Sequence, residues 1–372
     1  MKKNVFVVLI LLMACNITIY AGNWTVVQLP EVSKKWSLRS ISFPSSDQGW
    51  AVGMDYENKN KLKGVILKYQ DGKWKNVTPP EVSSSWKLTA VCFVSVDEGW
   101  AAGFDIANEK GVILHYKRGN WSMDEVPATY MDKKGWSLYS LSFLSASEGW
   151  AVGGNNNGKG GIILYYKEGK WTAEEDEDLL KGHIFRGVDA VSSDDIWIGG
   201  QREGHYWGID KFTRPWGTFE IHSDKSGFSQ VKQPSLLRNV IRNDYYFFNA
   251  NNGWCVGIFP TKEPNYTGRL LNWDGENWKN IKLDYGSKWW YLEAIDFSSE
   301  KYGWIVGVDL SKDKGILVEY NNDKWTFVSK DDLLEVSKDW GLYDISNAGE
   351  NEFWAAGTDR NGNKGIILHY SE

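Results

Sequence analysis

Across residues 86–121, apolar side chains fall on every second position in four short runs, each bounded by turn residues. That period belongs to strands with one buried face, whereas a helix repeats about every 3.6 residues. The run 88–93 alternates, 100–104 is small and apolar, 112–116 is rich in β-branched residues, and Trp121 opens a fourth run after the turn Lys117-Arg118-Gly119-Asn120. Four antiparallel strands in succession predict one blade of a β-propeller.

The pattern repeats along the chain. A Gly-Trp pair followed by small or β-branched residues and a Gly marks Trp50, Trp100, Trp150, Trp254 and Trp304, with weaker forms at Trp197 and Trp354. Successive spacings are 50, 50, 47, 57, 50 and 50 residues, which predicts an array of seven units. Units one to three, six and seven are close copies. Unit four, from His183 to about Ile221, carries Ile196-Trp197 in place of the mark and reads as having shortened hairpins. Unit five, residues 240–281, follows a long connection over 222–236 and has a longer middle loop over 259–266, open to reading as functional insertions or as drift.

The seventh unit supplies three strands before Glu372. Its fourth is expected at the other end: Asn23-Trp24-Thr25-Val26-Val27 matches Lys73-Trp74-Lys75-Asn76-Val77 and Lys324-Trp325-Thr326-Phe327-Val328. The expected fold is all-β: one domain over residues 22–372, a seven-bladed propeller of four-stranded antiparallel blades, closed by the N-terminal strand completing the last blade.

Composition agrees with this and narrows function. The 22 Trp and 38 Gly suit sheets stacked around an axis and joined by tight turns. A net charge of -6 supplies no basic face for nucleic acid. Lys2-Lys3 before the apolar run 5–14 reads as a secretory signal. Two cleavages fit it, after Ala21 (leader 1–21) or before Cys15 (leader 1–14), where Cys15 would be lipidated. The expectation is an exported monomer, extracellular, periplasmic or anchored to an outer surface, touching membrane only through that lipid.

No metal, cofactor or nucleophile pattern is found. Cys92 and Cys255 lie in non-adjacent units and read as unpaired buried residues. His115 and His369 share one repeat position and read as strand-surface residues. The turns starting at Asp105, Asp309 and Asp359 and ending at Lys110, Lys314 and Lys364 read as hairpins closed by cross-strand ion pairs rather than calcium loops.

The candidate site lies at the start of each innermost strand. Fourteen residues before the marker Trp stand Trp36, Trp86, Trp136, His183, Val240, Trp290 and Trp340, at one height around the central channel. Two readings apply: wedges between blades, or an exposed aromatic collar that stacks on a sugar or grips a partner's side chains. Three residues further in, Arg39, Thr89, Tyr139, Arg186, Asn243, Glu293 and Tyr343 vary in type, as a specificity layer does.

The string Phe-x-Ser-x-x-x-Gly-Trp-Ala-Val-Gly over 43–53, followed by Gly-x-Ile-Leu-x-Tyr-x-x-Gly-x-Trp over 64–74, resembles the repeat of the photosystem II assembly and stability factor family, and more broadly of sialidase-type propellers. The resemblance covers nearly the whole mature chain and implies a non-enzymatic, exported seven-bladed protein that holds another protein. Here the turn before the fourth strand, as in Asp71-Gly72-Lys73-Trp74, is one residue shorter than the family's and lacks its Thr. The chain is acidic, so the photosynthetic partner is not carried over. A glycan-binding module is the alternative reading. A sialidase-like glycosidase is third: Arg39, Arg186, Arg238 and Arg242 with Tyr139, Tyr343 and Glu293 offer residue types that chemistry uses, but a sialidase typically has six blades. The expected protein is a non-catalytic binding scaffold for a protein partner.

Overall fold

Each repeat folds into a four-stranded antiparallel sheet, and seven such sheets make up the protein. The structure, a computed structural model, describes residues 23–127, 135–155, 160–202, 218–232, 237–260, 266–328 and 336–371. The leader and Cys15 lie outside the described residues, as do 261–265 of the expected loop in unit five. Among the described residues no helix is long and apolar enough to cross a membrane.

The innermost strands are Trp36–Ser45, Trp86–Ser95, Trp136–Ser145, His183–Ser192, Ile241–Asn249, Trp290–Ser299 and Trp340–Gly349. Blade seven is completed by Asn23–Val26, which pairs with Lys364–Ser371 in the register Trp24 to Tyr370. This is the expected closure. The Trp24 ring also reaches blade six, meeting Trp304 edge-on at 5.1 Å.

The core lies between blades rather than within them. One cluster joins Trp50, Val52 and Ile66 of blade one to Trp86, Leu88, Phe93 and Leu114 of blade two, and the same scheme recurs around the ring. Six of the seven marker Trp are boxed by rings of the next blade. Trp50 is stacked by Phe93 at 5.0 Å and flanked by Tyr116 and Trp121 at 4.7 and 5.4 Å. Such pairs contribute roughly 0.5 to 1.5 kcal/mol each beyond area burial.

This packing explains the Gly of the Gly-Trp mark. The rings of Phe43, Phe93, Phe143, Phe247 and Phe297 lie over Gly49, Gly99, Gly149, Gly253 and Gly303, where any side chain would collide with them. Units four and seven carry Ala190 and Asn347 instead of the Phe, and there the residue before the Trp is Ile196 or Phe353. The weak marks are thus compensating changes across one strand pair.

Blade four corrects the sequence reading. Its third and fourth strands are Thr218–Asp224 and Gly227–Gln230. Much of the supposed connection over 222–236 is therefore sheet, and the extra length sits before it, in residues 203–217, outside the described residues. The blade lacks Gly-Trp and fourth-strand Trp, which removed the signal for it.

The Asp-Lys turns are also corrected. Asp105 and Lys110 are cross-strand partners, but the buried Asp105 carboxylate accepts from Ser83 Oγ at 2.6 Å and Asn108 Nδ2 at 2.7 Å. Asp309 accepts from Ser287 Oγ at 2.8 Å, and Asp359 from Ser337 Oγ. A buried carboxylate gains more from several short hydrogen bonds than from one flexible lysine. The Ser-to-Asp latch fixes the segment leading into each of these innermost strands. Asp71-Gly72 and Arg118-Gly119, all with positive φ, form two-residue type I′ hairpins, which is why this turn is shorter than the family's.

Candidate functional site

The innermost strand changes phase part-way along. In blade one Trp36, Leu38, Ile41 and Phe43 are buried, so the apolar positions switch from even to odd. A β-bulge between Leu38 and Ser40 absorbs the slip, and the equivalent bulge occurs in all seven blades. Its consequence is that Arg39, Ser40 and Ser42, and their equivalents other than Gly187, line the central channel.

The aromatic layer above the channel is not exposed. Trp36, Trp86, Trp136, Trp290 and Trp340 are 1–6 % exposed, and His183 is 7 %. Each Trp ring lies against a third-strand glycine of the preceding blade: Trp36 on Gly365, Trp86 on Gly64, Trp136 on Gly111, Trp290 on Gly268 and Trp340 on Gly315. His183 instead stacks on Phe219 of its own blade at 3.4 Å, and burial holds its pKa down to about 4, with Arg202 adding to the effect. The exposed collar is corrected to a ring of wedges. A large ring beside a missing Cβ gains more in the crevice than at the surface.

The variable layer does face the channel. Arg39, Thr89, Tyr139, Arg186, Asn243, Glu293 and Tyr343 line a cavity of about 540 Å³ together with Lys87 and Met54. Thr89 Oγ1 and Asn243 Nδ2 donate to the Leu138 and Leu292 carbonyls of the next blade, at 2.7 and 2.8 Å. The Arg39 guanidinium lies 4.4 Å from the Tyr343 ring centre and that of Arg186 5.9 Å from the Tyr139 centre. Among the described residues neither guanidinium, nor Lys87, is within ion-pairing distance of a carboxylate. Burial and then Arg39 lower the Lys87 pKa. Burial pushes Glu293 up to about 7, against the pull of Arg186 and Arg39.

Of the four arginines noted in the sequence, Arg39 and Arg186 reach this cavity. Arg242 is fully buried between blades, its Nε 3.4 Å from Glu220, and neither it nor Arg238 lines the channel. Among the described residues no group of three or more acidic, His or Cys residues is arranged to hold a metal. Cys92 and Cys255 are free thiols, and burial pushes Cys92 up to about 12.

Deeper in the channel lies a layer that the sequence reading missed. At each junction a short polar side chain accepts from a backbone N–H of the next blade's innermost strand. Ser40 and Ser42 accept from Val91 and Phe93 at 3.0 Å, Cys92 from Phe143, and Ser142 from Ala190 at 3.1 Å. The remaining four junctions use carboxylates. Asp189 accepts from Phe247 at 2.9 Å, Asp244 from Ile295 at 3.0 Å, Asp296 from Asn347 at 2.7 Å and Asp344 from Ile41 at 2.9 Å. An innermost strand is a sheet edge, and this girdle satisfies its free donors. The signal was a Ser or Asp between two apolar positions after the bulge, legible only once the phase slip is known.

Bulged inner strands, inter-blade wedges and a polar girdle define a seven-bladed β-propeller with a lined central channel. No family model matches the chain, and no curated protein matches it. Solved structures do. It is similar to YCF48 bound to D1 peptide (17% identity, 94% of this chain and 97% of that one, TM-score 0.62) and to YCF48 from Cyanidioschyzon merolae (16% identity, 94% and 98%, TM-score 0.57). It is also similar to the β-propeller domain of the Trilobed protease from Pyrococcus furiosus (7% identity, 91% and 94%, TM-score 0.54). Likeness at these identities establishes the fold.

Proposed function

We propose that the protein is an exported, non-catalytic propeller that binds a protein partner at the mouth of its central channel. The observation that carries this is the variable layer. The wedges and the girdle repeat because they hold blades together, whereas Arg39, Lys87, Arg186, Tyr139 and Tyr343 converge on one cavity, and among the described residues none of the three cations has a carboxylate within ion-pairing distance. Aromatic and arginine side chains around a concavity are the groups that dominate protein recognition. A similar propeller is described as bound to a peptide. Export is supported by Lys2-Lys3 and the apolar run 5–14.

Photo-cross-linking tests this. A benzophenone side chain at Tyr343, in protein incubated with an envelope fraction of the source cell, is expected to capture one protein. Capture should be lost in the Arg39→Glu, Arg186→Glu double variant. Retention of the adduct in that variant, or no adduct alongside saturable binding on a glycan array, overturns the reading.

A further inference from the structure

Six of the seven marker tryptophans meet rings of the following blade. Among the described residues Trp150 meets a ring only of its own blade, Tyr165 at 5.2 Å. The cause lies in three positions of blade four: Ala190 stands where five blades have Phe, Ser223 where the other six have Tyr or Trp, and Phe228 where the other six have Trp. Ile196 returns part of that volume. What remains is a cleft of about 410 Å³ between blades three and four, walled by Trp150, Tyr165, Ile196, Ser223 and Phe228.

The rim is ordered and acidic. Glu148 accepts from the Tyr165 hydroxyl at 2.8 Å with one oxygen and from Ser193 Oγ at 2.7 Å with the other, tying the two blades together at the edge of the cleft. Glu148, Glu174 and Asp194 line it against one base, Lys167. Glu174 begins five consecutive acids, Glu174, Glu175, Asp176, Glu177 and Asp178. The one-turn helix Glu177–Leu180 docks Leu179 and Leu180 into the same cluster as Phe228 and Tyr165, which holds this acidic run beside the cleft.

We propose that the cleft between blades three and four receives an aromatic side chain presented by a basic segment of a partner polypeptide. The incoming ring takes the place that Tyr116 occupies beside Trp50, at 4.7 Å, which Ser223 leaves without a ring in blade four. The acidic run pairs with the flanking Lys or Arg, steering the approach. This rests on the protein-binding reading but uses a surface separate from the channel.

The test is fluorescence anisotropy with the labelled pentapeptide Lys-Lys-Phe-Lys-Lys, its Ala-centred analogue, and Glu-Glu-Phe-Glu-Glu. The Phe peptide should bind about tenfold or more tighter than the Ala peptide, the gain of one ring in a hot-spot pocket, and the acidic peptide should not bind. Ser223→Tyr, which restores the residue other blades carry, should melt no lower than the natural protein and lose the Phe preference. If Ser223→Tyr does not fold, Phe228→Trp serves as the filling variant. Equal binding of the Phe and Ala peptides, or an undiminished Phe preference in the filled cleft, overturns the proposal. The peptide arms read the cleft alone and the Tyr343 cross-links read the channel, so either reading fails without the other.

Discussion

The indole of Trp86 lies directly on Gly64 of the preceding blade, so close that a methyl group on Gly64 would overlap the ring. That contact decides between an exposed aromatic collar and a structural wedge.

Trp86→Ala and Trp340→Ala should each cost about 3 to 5 kcal/mol of stability, the scale for a large aromatic lost from a packed core. Gly64→Ala should also destabilise, because the added methyl meets the Trp86 ring, which is buried between the blades and has no free space to move into. Denaturant melts check all three, and unchanged midpoints would restore the collar to the binding surface.

Deletion of residues 23–28 should lower the melting temperature sharply. It strips the register from Asn23 to Val26 off blade seven and removes Trp24 from Trp304 and Tyr370. An exposed edge at Lys364–Ser371 should also promote association, seen as larger species in size-exclusion chromatography. Coincident melts of deleted and mature protein would disprove closure through this strand.

The four carboxylates of the girdle, together with Glu293 of the variable layer, predict a pH response of definite sign. Burial raises Asp189 and Asp344 to about 6, Asp296 and Glu293 to about 7, and Asp244 well above its usual value. Groups raised in the fold hold protons that the unfolded chain has released, so their stabilisation is complete below about pH 4 and is lost as pH rises through about 7. His183, lowered to about 4, acts in the opposite sense as pH falls, but it is one group against five. Melting temperature should therefore fall between about pH 5 and pH 8, and Asp344→Asn should reduce that fall. A profile that rises over this window would show that these carboxyls ionise freely.

Export predicts a processed amino terminus. Mass spectrometry of protein from the natural host should find Gly22 first, or an acylated Cys15. An intact Met1 would remove the leader reading.

The architecture was legible because it depends on quantities that sequence carries directly. The period-two runs, the spacing of Trp50, Trp100 and Trp150, and the match of Trp24 to Trp74 fix strand type, blade number and ring closure, since each reflects a local rule repeated seven times. Blade four escaped because Ile196, Ser223 and Phe228 replace the residues that announce the rule. What a side chain faces was decided only by the tertiary structure. Leu38 and Ser40 stand two positions apart on one strand, yet the bulge between them sends one into the crevice between blades and the other to the channel. The girdle of Ser40, Asp189, Asp244, Asp296 and Asp344, and the vacancy beside Trp150, likewise exist only where neighbouring blades meet. A repeat read by itself contains one wall of each of these places, and the physical chemistry of burial, hydrogen bonding and shape requires both.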